Sequence, residues 1–419
     1  MYSKSTIRSY RLFIVIALGS LPLWLSAQSD SSAFRIKGFV DTYHAVRSQS
    51  PHNFMSSRTR VRGEVAGDMG NSTLFVSFNA TYNSLLKERT GFDLREAYLD
   101  YRDSNWGARL GRQLVIWGAA DGVRITDLVS PMDMTEFLAQ DYDDIRLPVN
   151  ALRLFFFNDK VKLELVGVPV FQGFILPTDS ANPWNILPKD TPLPVKWNDN
   201  HSRPAMKISN MEYGGRLSFN LPGIDFAFAA LHTWNKMPVM QPEVTPREVK
   251  INPRYYRMGF VGGDFSKPLG EFVIRGEVAF NIGKHFSYKP EAMSMAQKGF
   301  NTVNWLVGMD WYAPAEWMLM AQLSSESIFG YEPYVAQSHH STLFTLNVSK
   351  KLLNSTLQLS DFTYIDLNYG GWFSRFAADY ALSDPIHVSL GYDWFGGNKG
   401  MFGMYSKNSE AWIKAKYSF

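Results

Sequence analysis

Cysteine is absent from the 419-residue chain, so neither a disulfide framework nor thiol chemistry is available to it. Beyond residue 27 no stretch approaches the roughly 18 consecutive apolar residues that a membrane-crossing helix requires, which excludes a helical membrane domain. Charge is nearly balanced, with 42 Lys and Arg against 39 Asp and Glu, an excess too small to point to nucleic acid. The sequence has no Gly-x-Ser-x-Gly elbow and no His-Glu-x-x-His helix, the local signatures of a serine hydrolase and a zinc hydrolase. The adjacent pair His339-His340 lacks the one-turn spacing of a helical zinc pair. No catalytic residue, metal site or cofactor is therefore expected.

What is present begins with Lys4, Arg8 and Arg11, ahead of the apolar runs Leu12 to Leu18 and Leu21 to Leu25 and the small pair Ser26-Ala27. That is the three-part pattern of a secretory signal peptide, residues 1–27, which leaves residues 28–419 as the mature exported chain. Without disulfides, a chain of that size must hold itself together in another way. Aromatic residues make up 15% of the sequence, and their placement indicates how.

The recurring unit is a run of about ten residues with period-two alternation between turn residues, the signature of a transmembrane β-barrel. Ile386, Val388, Leu390, Tyr392 and Trp394 share one face, with His387, Ser389, Gly391 and Asp393 on the other. The runs Glu271 to Phe280 and Val303 to Trp311 behave likewise. Arg58, Arg60, Arg62 and Glu64 fall on one face and should point inward, because Arg or Lys on the lipid face at mid-depth costs about 2–4 kcal/mol. Trp311 and Trp317 flank one tight turn while Trp234, Trp372 and Trp394 lie at the opposite strand ends, giving two interfacial girdles.

Connection lengths alternate as well. Short turns fall near residues 68–71, 103–105, 158–160, 220–224, 266–270, 312–315, 351–355 and 383–384, and longer connections separate them. Eight turns and nine loops give eighteen antiparallel strands, or sixteen if two weak strands are misread, in one all-β transmembrane barrel with both termini in the periplasm. The final run, Glu410 to Phe419, alternates except at Trp412 and should close the ring against a first strand near Phe34 to Val46. Its terminal Phe419 resembles the last residue that outer-membrane barrels in general present to their assembly machinery. Outer-membrane lipid and that machinery are the expected partners.

A barrel of this size leaves a lumen unless a loop fills it. The third long connection, Val115 to Asn150, is the expected inward loop. It carries the acids Asp121, Asp127, Asp133, Glu136, Asp141, Asp143 and Asp144 against the bases Arg124 and Arg146. Ser130 and Pro131 are placed to open a short helix in it. Facing it should stand the wall residues Arg58, Arg60, Arg62, Glu64, Arg153, Arg216, Arg275 and Arg375, which would set a transverse field across a constriction. The alternatives are that the acids merely pair with wall arginines and anchor the loop, or that the loop sits in water outside.

The stretch Leu110 to Arg153, with Gly111-Arg112-Gln113, Trp117-Gly118, Asp121-Gly122, Asp127, Pro131, Asp133 and the run Asp144 to Pro148, resembles a porin-like family of Gram-negative outer-membrane proteins catalogued as a domain of unknown function. A weaker match is Gly262 to Phe280. The resemblance implies a large barrel in the outer membrane that passes small solutes, hydrophobic compounds among them. Two other readings stand beside it: the barrel component of a secretion or assembly machinery with no solute flux, and, less in keeping with the missing motifs, a barrel hydrolase.

Overall fold

In the computed structural model, residues 34–137, 139–142, 144–188, 191–199, 203–290 and 295–419 are described; the expected signal peptide lies outside them. Alternating sequence becomes extended backbone throughout, since period two places successive side chains on opposite sheet faces. The strands, in chain order, are β1 (Phe34–Arg47), β2 (Phe54–Met69), β3 (Ser72–Asn83), β4 (Gly91–Arg102), β5 (Trp106–Gln113), β6 (Val149–Phe157), β7 (Val161–Val168), β8 (Val195–Trp197), β9 (Glu212–Leu221), β10 (Ile224–Trp234), β11 (Val239–Val244), β12 (Val249–Arg254), β13 (Arg257–Leu269), β14 (Phe272–Tyr288), β15 (Ala296–Ala313), β16 (Trp317–Ile328), β17 (His340–Leu352), β18 (Leu357–Asp366), β19 (Trp372–Ser383), β20 (Ile386–Gly396) and β21 (Glu410–Ser418).

Eighteen of these form one antiparallel sheet closed by the pairing of β1 with β21, which is the count the turn and loop lengths gave. Closure is completed beyond the last strand: Phe419 donates its N–H to Gly38 O and accepts from Gly38 N, both at 2.9 Å. The Phe419 ring lies over Gly38, where a Cβ would stand 2.7 Å from its Cζ. The remaining three strands, β8, β11 and β12, make a small separate sheet on the long-loop rim. They fall in the long connections between β7 and β9 and between β10 and β13.

The two faces divide as the alternation requires. Val278, Val307 and Leu390 are 48, 53 and 57% exposed, while the neighbouring Ala279, Leu306 and Asp393 are 0, 1 and 0% exposed. Apolar residues on the outside of a closed barrel are the lipid-facing belt, not a packing fault. Aromatic pairs mark its edges: Phe272 stacks on Trp311 near the short turns, and Trp372 meets Trp394 edge-on at the opposite rim. Trp412, which breaks the alternation of the last strand, turns inward, packs against Tyr43 and donates its indole N–H to Asp393 at 2.9 Å.

Wall height is uneven. β14 and β15 run to 17 and 18 residues, whereas β5 and β7 have eight each. The low stretch of wall flanks the point where the chain leaves β5 and enters the lumen. Val307→Arg should destabilise the barrel by about 2–4 kcal/mol, from the cost of a lipid-facing charge. Asn304→Arg, on the inward face of the same strand, should cost less than about 1 kcal/mol by the same reasoning. Equilibrium refolding into lipid vesicles measures both.

Candidate functional site

Between β5 and β6 the chain crosses the barrel. Its segment, residues 114–148, touches Arg60 and Arg62 on β2 and Glu277 on β14, strands that stand opposite one another in the ring of eighteen. Further contacts reach Gln322 on β16, Tyr364 on β18 and Lys414 on β21. The sequence leads the chain inward through Gly111, whose φ of +134° leaves no room for a side chain: a Cβ would lie 2.2 Å from Ala97 O. Arg112 then donates its Nε to Leu94 O and Arg95 O at 2.9 and 3.1 Å. Gln113, fully buried, donates to Ala151 O at 2.9 Å. These three residues hold the departure point of the segment.

Four wall side chains fasten its first half. The Glu277 carboxylate accepts the backbone N–H groups of Ala119, Ala120 and Thr126 and the Thr126 hydroxyl. Gly118, at φ +95°, must be glycine for this, since a Cβ would sit 2.6 Å from Thr126 Oγ1 and 2.8 Å from the carboxylate. Gly122, at φ +69°, presents its carbonyl to the Tyr364 hydroxyl at 3.0 Å. Trp117 donates its indole N–H to Glu164 at 3.0 Å. Asp121 is held through its backbone, with both N–H and carbonyl bonded to the Gln322 amide.

The second half of the segment is held ionically. Glu136 pairs with Arg58 and accepts from Ser56 at 3.1 Å. Asp144 bridges Arg60 and Arg62 at 2.9 and 2.8 Å, and Arg60 also holds Asp41 bidentately. Burial pushes the Asp144 carboxyl up, but the two guanidiniums outweigh it and hold it well below the usual carboxylate range. Asp141 is lowered too, the partial loss of water around its carboxylate being outweighed by Lys414 at 2.6 Å. Asp133 pairs with Arg89, and Asp127 turns back on Arg146 at 3.2 Å. Arg124 donates to the carbonyls of Asp127 and Ser130. Asp143 lies outside the described residues.

Of the wall residues singled out from sequence, Arg58, Arg60 and Arg62 meet acids of the segment, and Arg275 donates to Ala119 O at 3.0 Å. Arg153 and Arg216 meet no acid of the segment among the described residues, and the ion pair of Arg375 is with the wall. Arg153 and Arg375 pair with Glu164 and Asp393 on the adjoining strands, and Arg216 pairs with Asp264 two strands away. The helix expected at Ser130 and Pro131 does not form. Ser130 Oγ accepts the Val115 N–H at 2.9 Å, so it cannot cap, and Met132 bridges antiparallel to Arg146. Glu277, Gln322, Tyr364 and Lys414 were missed as site residues. Each lies on an inward strand face, but only its partner's distant position in sequence gives it a role.

Apolar clusters fill the lumen on two flanks of the segment. Trp117, Ile125 and Val129 pack on Phe260, Ala279 and Leu306, and Phe137 packs with Trp184, Phe395, Phe402 and Tyr405. Two larger cavities remain along the wall of β1–β4. One of about 360 Å³ is lined by Arg58, Arg60, Arg62, Arg95, Asp93 and Asp144 among others. The second, also about 360 Å³, lies towards the short-turn rim against Arg35, Lys37, Glu64, Tyr98 and Asp100. A smaller one of about 160 Å³ lies across the segment, between Arg124, Phe174 and Asn281.

A closed ring of eighteen antiparallel strands with an apolar belt and a chain segment across its lumen is the fold of porin-type barrels. Solved structures agree in fold. OccK8 (OprE) of Pseudomonas aeruginosa matches with a TM-score of 0.55 at 8% identity, over 92% of this chain and 98% of that one. OccK3 (OpdO) of the same organism gives 0.54 at 10%, over 92% and 95%. OccAB3 of Acinetobacter baumannii gives 0.53 at 10%, over 92% and 99%. No curated protein matches the chain. The chain belongs to the family described as a protein of unknown function, DUF1302, whose model matches residues 33–383.

Two expectations follow from these anchors. Glu277→Ala leaves the buried N–H of Thr126 and the partly buried N–H groups of Ala119 and Ala120 without their acceptor, at about 1–3 kcal/mol for the buried orphan. The segment of that variant should be cut by added protease in folded barrels where the parent resists. Asp144, with its folded pKa depressed, contributes stability above the unfolded value of about 3.9 and loses it only as pH falls through the lower folded value. Asp144→Asn should therefore weaken the protease resistance of the segment at pH 7 and at pH 5 alike.

Proposed function

We propose that the protein is a channel for small solutes, with the route running along the β1–β4 wall past the constriction made by residues 114–148. The observation that carries this reading is the pair of cavities lined from the same strands, one holding Arg58, Arg60 and Arg62 and the other the next inward residue of β2, Glu64. Arg62 and Asp144 stand in the first of them, where the strand passes to the second. Passage there is set by the width left beside the segment and by the charges around it.

The lining favours polar solutes. Guanidinium, carboxylate, amide and hydroxyl groups dominate the first cavity, and a desolvated apolar molecule gains nothing from them. Hydrophobic cargo, implied by the family resemblance, finds less support in these residues. The acids act mainly as anchors in this reading, because Asp133, Glu136, Asp141 and Asp144 are each neutralised by a cation. Lumen charge then rests on Lys37, Glu64, Glu88 and Asp93, which stand in the two cavities. An enzymatic role has no support of this kind.

Deleting Thr126 to Asp144 should raise single-channel conductance in planar bilayers several-fold, with the folded barrel verified by its heat-modifiable gel mobility. Unchanged conductance would remove the constriction. A parent protein that never conducts, and that leaves the membrane on gentle extraction with a stoichiometric partner, would favour the machinery reading instead.

A further inference from the structure

The lipid face carries polar groups where the belt should be apolar. On β18, Tyr364 points inward to Gly122, so Asp361 and Thr363, of the opposite parity, point outward. Asp361 stands midway along the strand, beside the outward Phe376 of β19. Its carboxylate accepts from Thr363 Oγ1 at 2.7 Å and from Ser374 Oγ at 2.6 Å. Among the described residues no cation pairs with it. On β1, Asp41, Tyr43 and Ala45 are buried inward, so Thr42 and His44 point outward. His44 bonds Thr42 at 2.8 Å and Ser57 at 3.1 Å, and Thr42 reaches Thr59 at 3.2 Å.

Hydrocarbon is a poor neighbour for either group. A carboxylate with only hydroxyl donors keeps its charge uncompensated, and ionisable groups at membrane depth are found facing protein or water. The two patches differ in chemistry, one an acceptor-rich carboxylate and the other an imidazole among hydroxyls. Each supplies what the other lacks. Between them the outward residues revert to the ordinary belt, with Leu390 and Ile413 more than half exposed.

We propose that this sector is an interface between copies of the chain, in which Asp361 of one copy meets His44 of the next. Two different patches make a head-to-tail contact, which closes only as a ring, whereas a two-fold dimer would need one patch to face itself. Angular spacing fits a small ring. Each of the eighteen strands subtends about 20° of the barrel. β18 and β1 are four strands apart in order β18, β19, β20, β21, β1, hence about 80°. Neighbours in a ring of three are seen at about 60° and in a ring of four at about 90°. The inference is independent of what the lumen passes.

Absence of cysteine from the chain makes the test clean. His44→Cys, Asp361→Cys and the double variant are displayed in native outer membranes and treated with a short bis-maleimide. The double variant should give covalent species that end at three or four chains, while each single variant stays monomeric on the gel. A double variant that remains monomeric, a single variant that forms dimers, or a cross-linked band containing a different protein would overturn the proposal. Should the variants fail to fold, the mass of the unaltered protein in mild detergent decides: three or four chains support the ring, and one or two chains overturn it.

Discussion

Every backbone N–H and C=O that lies in hydrocarbon must find a partner within the protein, because no water is there to take its place. The rest of this structure follows from that requirement. It forces the sheet to close, so β21 must reach β1 and the chain ends by exchanging two hydrogen bonds between Phe419 and Gly38. Closure at eighteen strands in turn creates an interior too wide for wall side chains to fill. Something else must cross it, or the barrel is an open hole.

What crosses it is a length of irregular chain that carries its own backbone groups into a partly dry interior. Such a segment needs acceptors for its N–H groups and donors for its carbonyls. The wall supplies them in a division of labour. On one side Glu277, Gln322 and Tyr364 bind main-chain groups. On the other, Arg58, Arg60 and Arg62 bind the carboxylates of Glu136 and Asp144. The acidity of the segment, which from composition suggests a field across the pore, is largely consumed by this attachment. The glycines Gly111, Gly118 and Gly122 belong to the same task, since each occupies backbone that a side chain would obstruct.

Particular residues mark the limit of what could be read in advance. Period-two alternation and turn spacing placed the barrel strands, because burial on one face and lipid on the other write themselves into each strand separately. The inward direction of Arg58, Arg60, Arg62 and Arg275 was legible for the same reason. Whether such an arginine meets the segment or a wall carboxylate was not. Arg216 and Arg62 look alike in sequence, yet one pairs with Asp264 two strands away and the other with Asp144. The cap expected at Ser130 failed because its hydroxyl is taken by Val115, a residue whose proximity depends on how the segment doubles back.

The sequence by itself determined the face of each strand, the order of turns and loops, and with them the class of protein, since these are local properties of a chain that must satisfy two solvents at once. Only the tertiary structure decided which carboxylate answers which guanidinium, where Glu277 and Tyr364 act, and which cavities stay open. Those pairings join residues far apart in the chain, and ring closure, not sequence spacing, brings them within hydrogen-bond reach.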